Sequence, residues 1–501
     1  MTSPTETYVL LRAFVDELAR CGMRMACTSP GSRCAPLLLT LAREERLRCY
    51  SHVDERCAGF FALGAAKASG LPVALTCTSG TAAAELAPAA IEAFEARVPL
   101  LILTADRPPE LRENGAGQAI DQLKLFGGAA KWFFEVGVPD RASPERLRWI
   151  RTLACRAYWT ALEGRPGPVH LNFPLREPLV TDEELPAEAT GRPGGAPYVL
   201  RAGPTQRAAR ARGGGYDGDH AQGAGGALAT DAAEETKAVL AGLVASAERG
   251  VVVVGRNERD LALGAAAAAF CERAGWPLLA DPMSGARRGP AAVAHYDALL
   301  RDERFAGAQR PDLVLRAGDL PVSKPLRSWL AGLDDVPQVA IDPEGAWQDP
   351  ASVLSHSFGL EPAAAFAALT GAVGPAEEDW LAGWRGADEL AAEAILGALA
   401  SDDISEPAAA LELGVLLPRE ATLWVASSMP VREIETFWPV RPDPPRVLCN
   451  RGANGIDGIV SSAFGAAAAS DEPVVLLIGD VAFAHDLGGL LAAKRLGLEL
   501  T

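Results

Sequence analysis

Several strand-like runs in this 501-residue sequence end on side chains that can do chemistry. In VVLLIGDVAFAHDLGGLLAAK, Val474–Lys494, an apolar run stops at Gly479-Asp480 and a helical pattern follows. Gly479 would let a phosphate approach the backbone, and Asp480 offers a hard oxygen to Mg²⁺. The helix start after it favours an anion. A Gly-Asp turn that merely caps a helix reads the same, and Gly318-Asp319 in LVLRAGDLPVSK repeats it. LRCYSHVDERCAGFF carries Asp54-Glu55-Arg56 from a short strand to a helix opening near Cys57. Those charges either complement the helix dipole or set a carboxylate against a cofactor ring.

Other turns have the same placement. ACTSPGSRCAP sets Ser32 and Arg33 on an open helix start, suited to a carboxylate. TCTSGTAAAE places Thr78 and Thr81 at a strand-to-helix turn, either a cap or an anion or ring site. ILTADRPPELRENGAGQAIDQ takes Arg107 into a long polar loop that reaches Gln118. VASSMPVREIETF and CNRGANGIDG add Ser428, Arg432, Arg451 and Ile456. The six histidines have no i, i+4 metal spacing and no G-x-S-x-G partner, which argues against zinc chemistry and His-dependent hydrolysis.

These turns need rigid strands beneath them. Apolar runs such as PVALTCTSG, VPLLILTAD, GVVVVGRN, PDLVLRAGD and ATLWVASS alternate with Ala-rich helical stretches, including Ala58–Ala68 and Ala82–Ala96. The pattern predicts parallel sheets with helices on both faces. Periodicity vanishes from Thr181 to Thr230, where RAARARGGGYDGDHAQGAGGAL is Gly- and Arg-rich. A weaker break lies near Gly371–Glu378. The expectation is three α/β domains, 1–185, 235–370 and 385–501, with residues 186–234 as a linker carrying an insertion. A net charge of −17 argues against general nucleic-acid binding. Nine cysteines with no C-x-x-C suit reduced thiols, and no apolar run reaches the ~20 residues that span a bilayer. The N-terminus reads as an amphipathic helix, not a signal peptide, so a cytoplasmic location is expected.

From Leu10 to Thr501, SPGSR, DERCAGFFALGAAKASG, TSGTA, LTADRPPEL, GQAIDQ, SMPVRE, NRGANGIDG and the strand-end GD occur in the order of one family. The chain resembles the thiamine-diphosphate enzymes that make 2-succinyl-5-enolpyruvyl-6-hydroxy-3-cyclohexene-1-carboxylate in menaquinone synthesis. The resemblance implies doubly wound pyrimidine-binding, central and diphosphate-binding domains, in a homodimer or homotetramer. It implies thiamine diphosphate with Mg²⁺, or Mn²⁺ in its place, and 2-oxoglutarate and isochorismate as substrates. Glu55 matches the carboxylate that hydrogen-bonds the aminopyrimidine, and Asp480 the metal ligand. Pro30, Thr78, Thr81, Ser428 and Met429 match cofactor-binding positions, as do Gly479, Val481 and Ala482. Ile456 matches the apolar prop that holds the cofactor bent. Ser32, Arg33, Arg107, Gln118, Lys324, Arg432 and Arg451 match substrate-binding positions. Ser427 and Gly117 stand where the family usually has Asn. The family pattern runs on past the GD to a further Asn ligand, so a third domain cut short at Thr501 is expected. Two other readings are a pyruvate-using enzyme of the same superfamily and a non-catalytic fragment with the same fold.

Overall fold

The computed structural model describes residues 4–181, 195–201, 227–374, 376–377, 379–401 and 404–501. The Gly/Arg-rich insertion lies outside them apart from its ends. The described chain divides into two compact units, Met1–Gly214 with Asn450–Thr501, and Gly215–Cys449.

In the first unit LLILTAD forms a strand buried at every position, as a strand covered on both faces must be. Six strands, β1 Met25–Thr28, β2 Arg48–Ser51, β3 Val73–Cys77, β4 Leu100–Asp106, β5 Trp132–Glu135 and β6 Pro168–Pro174, make one sheet in the order β2-β1-β3-β4-β6-β5. All its pairings are parallel. Helices α1 Pro4–Cys21 and α2 Ala35–Arg43 supply Phe14, Leu18 and Leu37 to the core on one face. Helix α3 Glu55–Ser69 supplies Ala58, Phe61 and Ala65 to the other. The expected helix Ala82–Ala96 is two, α4 Thr81–Ala84 and α5 Ala87–Glu95. Pro88 lacks the N–H that would bond the Ala84 carbonyl and its ring would clash there, so a continuous helix is barred.

The second unit holds β7 Gly250–Val254, β8 Leu278–Ala280, β9 Leu313–Ala317, β10 Gln338–Ile341 and β11 His356–Phe358, parallel in the order β11-β10-β9-β7-β8. It also holds α6 Lys324–Ala331, strands β12 Thr422–Val425 and β13 Arg446–Cys449 in parallel register, and α7 Met429–Phe437. Two boundaries shift from expectation. A helix over Ala227–Ala245 opens inside the stretch assigned to linker, where Ala, Glu and Leu take over from Gly. Another over Trp380–Leu399 crosses the point where the third domain was to begin. Its Trp380 and Trp384 pack with Leu326, Trp329 and Leu330 in the core of this unit.

Residues 450–501 return to the first unit as α8 Ile459–Ala468, β14 Val474–Leu477 and α9 Asp480–His485. Helices α3 and α8 cross with backbones in contact. A Cβ on Gly64 would lie 1.9 Å from the Ser462 carbonyl oxygen, and one on Gly465 2.0 Å from that of Phe61. Only glycine permits that approach. The Leu476 N–H donates to the Thr501 carbonyl at 2.8 Å, extending β14 sideways. The nine cysteines form no disulfide, and no described helix is long and apolar enough to cross a membrane.

Candidate active site

The first sheet reverses its winding between β1 and β3, and ligands of open parallel sheets bind beyond the strand ends at such a point. Both turns picked from the sequence are there. A Cβ on Gly31 would sit 2.4 Å from the Thr78 Cβ, so the Pro30-Gly31 and Thr78-Ser79 turns touch. Arg33 is buried; it donates to the Leu175 carbonyl at 2.8 Å and to exposed Glu177 at 3.1 Å, while its Nε has no partner among the described residues. Arg107 donates to the Ser79 hydroxyl. Ser79 donates in turn to the Gln118 carbonyl at 2.9 Å, and the Gln118 amide returns to the Ser79 carbonyl at 3.2 Å. Burial, with repulsion from Arg33 next, holds Arg107 below the usual guanidinium range. Ser32 and Thr81 are exposed on the same turns.

Two residues missed in the sequence fix this cluster. Gln122 accepts from the Gly80 N–H at 2.9 Å and donates to the Ala105 carbonyl and Asn172, at 3.1 and 2.9 Å. It lies in the quoted GQAIDQ, but nothing local marks it as buried. Asp106 pairs with Arg112 at 2.8 Å, and Arg112 donates to the Arg107 carbonyl at 3.0 Å, which ties down the RPPELR loop.

Glu55 opens α3, two residues earlier than expected, because Asp54 caps the helix by accepting from the Cys57 N–H at 3.2 Å. Arg56 does not neutralise either acid. It donates to the His485 carbonyl at 3.1 Å and approaches buried Asp486 at 3.9 Å. Glu55 is left half-buried without an ion pair among the described residues. Burial, then the Asp54 and Glu85 charges, raise its pKa above the usual carboxylate range. It lies within electrostatic reach of the Cys34 and Cys77 thiols, at the mouths of β1 and β3. A carboxyl poised this way can exchange a proton with a ring nitrogen.

Asp480 begins α9 and is exposed; among the described residues its one hydrogen bond is accepted from the Val481 N–H at 2.8 Å. Val481 is exposed and Ala482 buried behind it. A Cβ on Gly479 would meet nothing within 4 Å. The other Gly-Asp differs: Asp319 is mostly buried and clamped by Arg256. Of the two look-alike turns, only Asp480 is thus free to take an ion. The loop bearing Arg451 and Ile456 borders α9, with His485 Nε2 3.9 Å from Asp457. The remaining candidates lie in the second unit. Lys324 is exposed at the start of α6, Met429 and Arg432 are exposed on α7, and Ser428 caps α7 at φ +75°. That backbone region is costly for a residue with a Cβ and clusters at functional sites.

Residues 10–125 match the model for the N-terminal thiamine pyrophosphate-binding domain of thiamine pyrophosphate enzymes, and residues 234–425 the middle domain. The chain is 41% identical over 508 residues to a 2-succinyl-5-enolpyruvyl-6-hydroxy-3-cyclohexene-1-carboxylate synthase of Geobacillus thermodenitrificans, covering 100% of this chain and 81% of that one. The chain belongs to this synthase family. Synthases of the same name from Chloroflexus aurantiacus (41% over 498 residues; 98% and 80% covered) and Halobacterium salinarum (39% over 526; 100% and 83%) are similarly related. The family relation therefore spans both units of the synthase fold and every turn described above.

Proposed function

We propose that the chain is a transferase that decarboxylates 2-oxoglutarate and adds the remaining four-carbon unit to isochorismate. The product is 2-succinyl-5-enolpyruvyl-6-hydroxy-3-cyclohexene-1-carboxylate, for menaquinone biosynthesis, with thiamine diphosphate and Mg²⁺ (or Mn²⁺) as cofactors. The observation that carries this reading is the Arg33–Arg107 pair at the switch point, beside Ser79 and Gln118. Two guanidiniums that repel in the free protein favour a multiply charged carboxylate ligand over singly charged pyruvate.

The residues present fit the cofactor. Asp480 offers Mg²⁺ a hard oxygen, and the open backbone at Gly479 leaves room for a phosphate. Val481 and Ala482 follow on α9; Pro30, Thr78 and Thr81 would line the rest and Ile456 would press on the cofactor, and the family resemblance gives Ser428 and Met429 a cofactor-binding role as well. When bound, thiamine diphosphate supplies an electron sink for the decarboxylation. Glu55 would hydrogen-bond the aminopyrimidine and exchange a proton with it. Ser32, Arg33, Arg107, Gln118 and Arg451 would hold substrate carboxylates, a role that the family resemblance also gives to Lys324 and Arg432. A homodimer or homotetramer fits the apolar side chains bared along α9 and after it, Val481 at 65% and Leu491 at 54% exposed.

The test is CO₂ release from 2-oxoglutarate and from pyruvate, with isochorismate consumption followed in parallel, after loading with thiamine diphosphate and Mg²⁺. Release from 2-oxoglutarate with matching isochorismate loss supports the reading. Equal use of pyruvate, or no turnover of 2-oxoglutarate, overturns it.

A further inference from the structure

One buried carboxylate in the first unit has no part in the chemistry above. Glu92 lies on α5, 3% exposed, in an alanine-rich helix whose other inward residues are small. Its two oxygens are spent on one turn: Oε1 accepts from the Gly452 N–H at 2.8 Å and Oε2 from the Ala453 N–H at 2.6 Å. Lys67 of α3, with a side chain wholly buried, stands 3.8 Å from Oε1. The turn also lies flat against the end of α5, for a Cβ on Gly452 would come within 2.6 Å of the Ala96 nitrogen and of the Glu92 carbonyl oxygen. Further along, Gly458 is pressed onto the Phe60 ring, where a Cβ would sit 1.9 Å away. The segment from Arg451 to Asp457 is thus fastened at both ends, and its middle, Ala453 and Asn454, is exposed.

We infer that Glu92 is a positioning residue for the substrate and cofactor site: it fixes the turn that presents Arg451 and Ile456. The inference rests on the carboxylate-binding role of Arg451 proposed above. A lysine–glutamate pair in an apolar core is costly to desolvate, so packing alone does not account for it. Two adjacent backbone N–H groups held by one carboxylate fix the direction of the residue before them, and that residue is Arg451.

The test uses the full chain with Glu92→Gln, Arg451→Ala and the double variant. An amide offers only one acceptor oxygen, so Glu92→Gln loses one of the two bonds and sets an NH₂ against the other N–H. The KM for the anionic substrate should rise about tenfold with kcat little changed, the worth of one hydrogen bond to a charged group. In the Arg451→Ala background the same change should add less than about twofold, because residues acting through one contact are not additive. Without substrate or cofactor, the Gly452 and Ala453 amides should exchange hydrogen at least about tenfold faster in Glu92→Gln. Gly452→Ala keeps the Lys67–Glu92 pair but lifts the turn, and it should raise KM similarly. That keeps the inference testable if Glu92→Gln fails to fold. Full additivity, unchanged amide exchange, or a normal KM in Gly452→Ala would each overturn the inference. A normal KM in Arg451→Ala with fast exchange in Glu92→Gln would instead sink the proposed role of Arg451 and leave the hold on the turn in place.

Discussion

Replacing Arg107 by alanine tests the site at the point where binding and stability pull apart. The guanidinium is partly exposed, hydrogen-bonded to the Ser79 hydroxyl, and held below its usual pKa range by burial and by Arg33. Among the described residues no carboxylate lies within hydrogen-bond reach of it, so the free protein gains little from its charge. A hydrogen bond from it to a substrate carboxylate is worth about 1.5–3 kcal/mol. Partial exposure puts the value near the lower end, about 1.5–2 kcal/mol, which is roughly a 10–30-fold loss in kcat/KM. The loss should appear as a raised KM for 2-oxoglutarate or isochorismate. The Tm of the free protein should stay level or rise by a degree or two, about 0.5 kcal/mol of relieved repulsion. Steady-state kinetics and thermal melts on the same preparation read both. A Tm several degrees lower with KM unchanged would make Arg107 a pin for the Ser79 turn and refute its place in substrate binding.

Glu55→Gln should cut turnover by roughly 10²–10⁴ without lowering stability near pH 7. The folded pKa is raised, so the ionised form is penalised only as pH climbs above the usual 4.5, and glutamine removes that penalty; near-normal CO₂ release would exclude the proton role. His52 and His170 are buried and pushed down to about 4 and about 3. Both are neutral when folded, and stability should fall as pH drops below the unfolded value of 6.5, levelling once the folded values are passed. His52 alone accounts for on the order of 3 kcal/mol, and melts of His52→Leu should show a shallower acid limb; an identical slope would show that His52 does not contribute. Gly64→Ala forces α3 off the Ser462 carbonyl, which lies 1.9 Å from the new Cβ. Overpacking of about 1–3 kcal/mol should exceed the ~1 kcal/mol gain in helix propensity, and an unchanged Tm would contradict the backbone contact.

The places of the candidate turns were legible because parallel sheets carry their loops at strand ends. SPGSR and TSGTA end β1 and β3, the strands flanking the switch point, so their chemistry and their position agree. The two Gly-Asp turns could not be told apart by letters alone; the partner that occupies Asp319, Arg256, lies 63 residues away. Glu92 was invisible for the same reason at greater range, since its partner Gly452 is 360 residues on. Pro88 was a readable break that the alanine pattern overrode. Trp380 and Trp384, one helical turn apart, marked an inward helix face across the weak boundary and joined it to the second unit's core. The placement of Lys324, Ser428, Met429 and Arg432 in a different compact unit from Glu55 is a property of tertiary contacts, which periodicity does not encode.

The α3–α8 crossing has a consequence for how the chain is made. Helix α3 is synthesised well before α8, with all of Gly215–Cys449 between them. At ~5–20 residues per second the ribosome needs tens of seconds to cover that stretch. Throughout that time the glycine-and-alanine face of α3 has no partner, an apolar seam of the sort that chaperones hold. The first unit cannot close until residues 450–501 have been made. Circularly permuting the gene so that residues 450–501 are translated just before Met1 would shorten the wait. Such a chain should release from the ribosome with less chaperone bound.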